Sequence, residues 1–174
     1  MLFTRSETLL FALLLSIMSS VQAIEYQSTD DFLLQRFAGQ VPQPQLLWIN
    51  KKNQQIAADI LQHKVSFLRI RYWKNKQQSV WILNEIGKVK PITTAVVIIK
   101  QKIALLKVLA FRESRGWEVK HDFFTDQFKQ NTLDSHLKLT QAIDGISGAT
   151  LSVRALTKTA RLALFFDSLV ANEK

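Results

Sequence analysis

A chain of 174 residues, 47% of them hydrophobic, has room for one domain with a real core and is too apolar to be disordered. It contains no cysteine, which excludes disulfides, thiolate metal sites, iron–sulfur clusters, c-type haem attachment and a cysteine nucleophile. Its formal charge of +9 favours anionic partners such as phosphate-bearing ligands, lipid headgroups, acidic proteins or nucleic acid, the alternative being a merely solvated basic surface.

The first elements read as a targeting segment. Met1 to Glu7 is short and polar, Leu9 to Met18 is an apolar run, and Val21-Gln22-Ala23 supplies the small residues that a signal peptidase recognises. The run is shorter than the ~20 residues of a membrane-spanning helix. The expectation is a signal peptide over residues 1–23, cleaved after Ala23, with a single domain over 24–174 delivered to the periplasm of a bacterial host. An uncleaved anchor or a buried helix is the alternative. Export makes nucleic acid a poor partner, and none is expected.

Asp30 to Phe37 and Asn53 to His63 have helical spacing of apolar residues, with Thr29 or Asp30 capping the first. Pro42 and Pro44 separate them. Val65 to Lys74 alternates, with Leu68, Ile70 and Tyr72 on one face and Arg69, Arg71 and Trp73 on the other. It forms a hairpin with Val80 to Leu83. Ile92 to Ile99 and Ile103 to Phe111 form a second hairpin, although its turn lacks the usual Asn-Gly. Trp117 to Lys120 reads as a short strand and Phe123 to Phe128 as a helical turn or two. Leu151 to Leu169 is a long helix with an apolar stripe of Leu151, Ala155, Leu156, Ala160, Ala163 and Leu164. Thr150, Arg154, Lys158 and Arg161 share the opposite face. The fold class is α+β: an antiparallel sheet of four or five strands, two helices before it and one long C-terminal helix. With no heptad pattern, a monomer is expected.

The chain has five glycines, and two of them fall in DGISGAT, Asp144 to Thr150, at the entrance to the last helix. A helix N-terminus carries unpaired N–H groups and partial positive charge, so it attracts phosphate. Gly145 and Gly148 allow close backbone approach. Ser147 and Thr150 offer hydroxyls, and Arg154 lies one turn on, leaning back toward Thr150. Spacing alone equally describes an ordinary capped helix, with Asp144 and Ser147 as the caps.

Asp144, Ser147, Gly148, Ala149 and Thr150 match the Asp-x-x-Ser/Thr-Gly-Ala-Thr motif, and on these residues the chain resembles the FMN-binding domain family. That family includes the flavin-carrying subunits of the sodium-pumping NADH:quinone oxidoreductase and of Rnf-type complexes. Trp81 to Lys88, Lys90 to Thr93, Phe111 to Val119 and Phe123 to Phe128 continue the likeness, which is nearest to small exported single-domain members and covers about Val80 to Leu164. The motif-bearing part is about 80–172. The resemblance implies FMN held covalently by a phosphoester on Thr150, attached by an ApbE-type flavin transferase that uses FAD. It implies a cofactor site of Thr150, Ser147, Gly148, Ala149, Asp144, Gly145 and Arg154, with Glu113, Ser114 and Trp117 near the flavin. Larger relatives have Glu-Thr-Pro-Gly where this chain has Glu113-Ser114-Arg115-Gly116, which puts the flavin-facing role of Glu113 and Ser114 in question.

The three histidines have no ligand spacing, so no metal is expected. The chain lacks a P-loop, a Gly-x-Gly-x-x-Gly and a nucleophile elbow. Of the four tryptophans, Trp117 is the one best placed to stack on a flavin. The functional expectation is an exported electron carrier acting with a membrane or periplasmic redox partner, rather than a stand-alone enzyme. The alternatives are a reversible binder of FMN or another anion, and an exported flavin-dependent reductase.

Overall fold

Two long apolar strands, β5 (Pro91–Ile99) and β6 (Lys102–Phe111), form the centre of the protein in a computed structural model that describes residues 24–171. The expected signal peptide lies outside the described residues. Lys100 and Gln101 alone join the two strands, both with positive φ (50° and 61°). A two-residue hairpin of this twist usually takes Asn-Gly. Here Gln101 compensates, because its side-chain amide donates to Asp167 on the last helix.

The sheet has six antiparallel strands in the order β1-β6-β5-β4-β3-β2, with β2 to β6 following one another and β1 added beside β6. The remaining strands are β1 (Ile24–Glu25), β2 (Gln45–Trp48), β3 (Arg69–Lys74) and β4 (Ser79–Ile86). The sequence reading expected four or five strands. The extra ones are edge strands: β1 pairs two residues with β6, and β2 pairs four with β3. Both are too short to show alternation. They also place strands before and between the two N-terminal helices, α1 (Thr29–Arg36) and α2 (Lys51–Leu61). Ser28 caps α1 through the Asp31 N–H at 3.0 Å, one residue earlier than expected, and Asn50 caps α2 through the Asn53 N–H at 2.9 Å.

Each face of the sheet has its own cluster. Phe32 and Leu33 of α1, with Phe37 just past its end, pack on Trp73, Val80, Ala95, Val97 and Leu109. On the other face α2 and the long helix α4 (Thr150–Ala171) cover Tyr72, Trp81, Val96, Ile98 and Leu106. Trp81 is fully buried and stacks on Tyr72 at 4.7 Å, so both are core residues. Burial of side chains of this size stabilises by about 1.5–3 kcal/mol each. The stripe expected on α4 is buried except at Leu151, which is exposed at the helix start.

Near its C-terminal end α4 is held by the buried Asp167. Its carboxylate accepts from the Ser79 hydroxyl, the Gln101 amide and, at 3.3 Å, the Trp81 indole N–H. A buried carboxylate is costly unless donors surround it, and three do so here.

After β6 the chain enters a 3-10 turn (Trp117–Lys120), a short helix α3 (Asp122–Thr125) and a second 3-10 turn (Asp126–Phe128). Trp117–Lys120 was expected to be a strand. Gly116, at φ +84°, turns the backbone out of extended geometry just before it. A loop then leads back to α4. Ile103 and Asn131 hold it by a backbone bond of 3.0 Å, Asn131 Oδ1 accepts the Gln141 N–H at 2.8 Å, and Gln127 Oε1 accepts the Asp144 N–H at 2.7 Å. These bonds fix where α4 begins. None of the described helices is long and apolar enough to cross a membrane.

Candidate functional site

Three segments far apart in sequence meet at the start of α4: the β4–β5 turn, the loop after β6 and the DGISGAT stretch. They enclose a cleft of about 600 Å³ lined by Lys88, Glu113, Ser114, Arg115, Gly148, Ala149, Thr150, Leu151 and Ser152. This volume lies within the range of small-molecule sites.

The helix entrance is built by a turn. The Ala149 N–H donates to the Ile146 carbonyl at 3.0 Å, with Gly148 at φ +80° in the third position, where glycine is strongly favoured. The Ala149 carbonyl then accepts the first helical bond, from Val153 N–H at 3.0 Å. Ala149 is therefore the cap residue, and alanine has no oxygen to cap with. The ordinary capping expected of Asp144 and Ser147 is not realised. Both lie upstream in the loop and turn, exposed, and among the described residues neither side chain makes a hydrogen bond or ion pair. The Thr150 hydroxyl is likewise exposed and unpartnered.

Ser152 sits two residues into the helix. It is 4% exposed and lines the cleft, and its hydroxyl has no protein partner. Sequence reasoning missed it, because a serine at that position reads as ordinary helix surface.

The opposite wall is held by Glu113. Its Oε1 accepts the backbone N–H groups of Lys88, Val89 and Lys90 at 2.6, 2.6 and 2.7 Å. Partial burial pushes this carboxyl up. The three N–H groups and the Lys88 charge outweigh that and bring it below its ordinary value. Arg112 staples the same loop to β5 through the Pro91 carbonyl (3.1 Å) and the Thr93 hydroxyl (2.8 Å). The Lys88 and Arg115 side chains line the cleft with no ion-pair partner. Gly116 closes the corner, where an added Cβ would stand 2.7 Å from Ser152 Oγ and 3.3 Å from Ala149 Cβ.

Of the expected site residues, Gly148, Ala149, Thr150, Glu113 and Ser114 line the cleft together, while Ser147 and Gly145 belong to the approach to it. Arg154 does not line it. It borders a separate groove with Gln62, Ile143, Val153, Thr157, Lys158 and Arg161. Trp117 is also outside the lining. Its ring is 46% exposed, with Lys120 Nζ at 5.2 Å and the His121 ring edge-on at 5.5 Å.

Residues 87–164 match the model of the FMN-binding domain family. The match covers 78 of the 174 residues and likens that part of the chain to an FMN-binding domain. The matched span begins at Gly87 and includes all three segments of the cleft. No curated protein matches the chain.

The cleft fits FMN chemically. It offers unpaired helix N–H groups and two unpaired cations for a phosphate, together with hydroxyls at Ser152 and Thr150 that lack protein partners. Lys88, Arg115, Ser152 and the first turn of α4 are the residues that would hold it.

Proposed function

We propose that this protein is an exported flavoprotein that carries FMN as a phosphoester on Thr150 and passes electrons between redox partners. The observation that supports this best is the entrance of α4. It is capped by an alanine and opens its free N–H groups and two unpartnered hydroxyls onto a cleft lined by Lys88 and Arg115, inside the matched span. A helix that ends in this way leaves its positive pole to a ligand.

Thr150 is exposed and can be reached by another enzyme. A threonine hydroxyl is a poor nucleophile unaided, and the Glu113 carboxylate on the opposite wall of the cleft is engaged by three N–H groups. The base therefore comes from outside, from an ApbE-type transferase. Thr150 Oγ1 bonds to the phosphorus of the FMN half of FAD, the bond from that phosphorus to the adenylate half breaks, and AMP leaves. The hydroxyl proton passes to a base of the transferase, and nothing is oxidised or reduced. Asp144, free in the preceding loop, is available to that enzyme as a recognition group.

The flavin supplies the redox chemistry. The chain contributes an anchor and positive charge. Lys88 and Arg115 would neutralise the phosphodiester, the helix pole would add to them, and Ser152 would offer a hydrogen bond from the cleft wall. Covalent attachment suits an exported protein, since a dissociated flavin would be lost by dilution in the periplasm.

In-gel flavin fluorescence after denaturation tests the reading. The protein is co-expressed with a transferase, beside Thr150→Ala. A fluorescent wild-type band and a dark variant are expected. Equal reversible FMN binding by both proteins, with no fluorescence on the gel, would turn the conclusion to a non-covalent binder.

A further inference from the structure

We infer that the basic groove along α4 is the docking face for the flavin-loading enzyme, and that it receives an acidic rim of that enzyme. The inference rests on the reading of Thr150 as the attachment residue. Arg154, Lys158 and Arg161 follow Thr150 on one side of α4, within about 80° of helical arc and over roughly 16 Å. The three cations border one groove of about 600 Å³ with Gln62, Ile143 and Thr157. It begins one turn from the hydroxyl, so an enzyme that reaches Thr150 and lies along α4 covers it.

Among the described residues, Arg154 is the groove cation without a protein partner, while Lys158 and Arg161 each have a carboxylate nearby. Arg154 is exposed and makes no ion pair. Lys158 approaches Glu85 only to 4.0 Å, and that buried carboxylate already meets His63 at 3.1 Å. Arg161 is fixed by donating from Nε to the Leu137 carbonyl at 2.6 Å. The nearby Asp134 carboxylate is occupied by the N–H groups of His136 and Lys138, both at 2.8 Å. Three cations spread over this length suit a row of carboxylates on a protein surface better than one small anion. Such complementarity acts mainly on encounter rate and is weakened by salt.

The test is the rate of flavin transfer to the unloaded full chain by a purified ApbE-type transferase with FAD and Mg²⁺. Arg154→Gln with Lys158→Gln removes two charges beside the site. Lys76→Gln with Lys100→Gln removes the same charge from exposed loops near the other end of α4. The groove variant is expected to load about tenfold more slowly at low salt, with the gap closing as salt rises. It should reach the same endpoint on Thr150, and the control pair should load like wild type. Arg154→Glu should slow loading further. Equal rates for groove variant and wild type, or equal slowing by the control pair, would overturn the docking assignment and leave Thr150 as the attachment residue. Failure of the wild type to load, while another acceptor protein loads in the same mixture, would remove the reading of Thr150 and this inference with it.

Discussion

Glu113 and Gly87 meet closely: a Cβ on Gly87 would stand 3.1 Å from Glu113 Oε1 and 3.2 Å from Ile92 Cδ1, tight enough that these side chains would have to give. The close approach brings the carboxylate under the N–H groups of Lys88, Val89 and Lys90. Glu113→Ala should destabilise the protein by about 1–3 kcal/mol, since hydrogen bonds to charged groups contribute that much and the freed N–H groups regain some water. The folded carboxyl titrates below its ordinary 4.5, so its contribution is complete above that pH and is lost as pH falls through the lower folded value. Urea midpoints should therefore differ between wild type and variant at pH 7 and converge as pH falls below the folded value. A difference that does not change with pH would mean the charge plays no part.

Gly116 and Ser152 give a second prediction. Gly116→Ala imposes a left-handed backbone on a side chain, costing about 1–2 kcal/mol, and drives the new Cβ to 2.7 Å from Ser152 Oγ. Ser152→Ala alone should leave thermal stability unchanged or slightly raised, because its hydroxyl has no protein partner. The double variant should recover the part of the loss due to the contact, but not the backbone strain. Melting temperatures of the four proteins decide it. Additive losses would show that the two residues do not touch in solution. Ser152→Ala should also retain flavin less well when binding is measured before covalent attachment, with unchanged stability separating the two effects.

His63 predicts a pH effect of the opposite sign. Its Nδ1 lies 3.0 Å from the Lys64 carbonyl, and its Nε2 is 3.1–3.2 Å from both Glu85 oxygens. Only a doubly protonated ring donates at both ends. The Lys64 bond and then the Glu85 bond hold its pKa above the usual 6.5. The contribution is complete below pH 6.5 and is lost as pH rises through the folded value. Denaturant midpoints of wild type should fall across that range, and those of His63→Gln should fall less. The ring is half exposed and screened by water, so the effect should stay below about 1 kcal/mol. A steeper slope in the variant would contradict the pairing.

The long apolar runs of β5, β6 and α4 were legible because each repeats its period over several residues. The edge strands were not. In β2 only Leu47 is buried, and one buried residue makes no pattern. Trp117–Lys120 alternates like a strand, but the backbone of Gly116 decides its shape. At the site, the motif fixed attention on Thr150, and the cleft does form around it. The partners of Gly87 and Gly116 lie far along the chain, so the sequence shows two turn glycines and hides what they make room for. Arg154 shares a helix side with Thr150, but the groove it lines is a separate one, because the cleft lies toward Gly116 and Lys88.

The central claim is that a phosphate-linked flavin occupies the open end of α4 at Thr150. Its most direct test is peptide mapping by mass spectrometry of protein exported alongside an ApbE-type transferase. The peptide bearing Asp144 to Arg154 should gain the mass of FMN less one water, with fragmentation placing it on Thr150. An unmodified peptide from a preparation whose known acceptor protein is fully flavinylated would contradict the account.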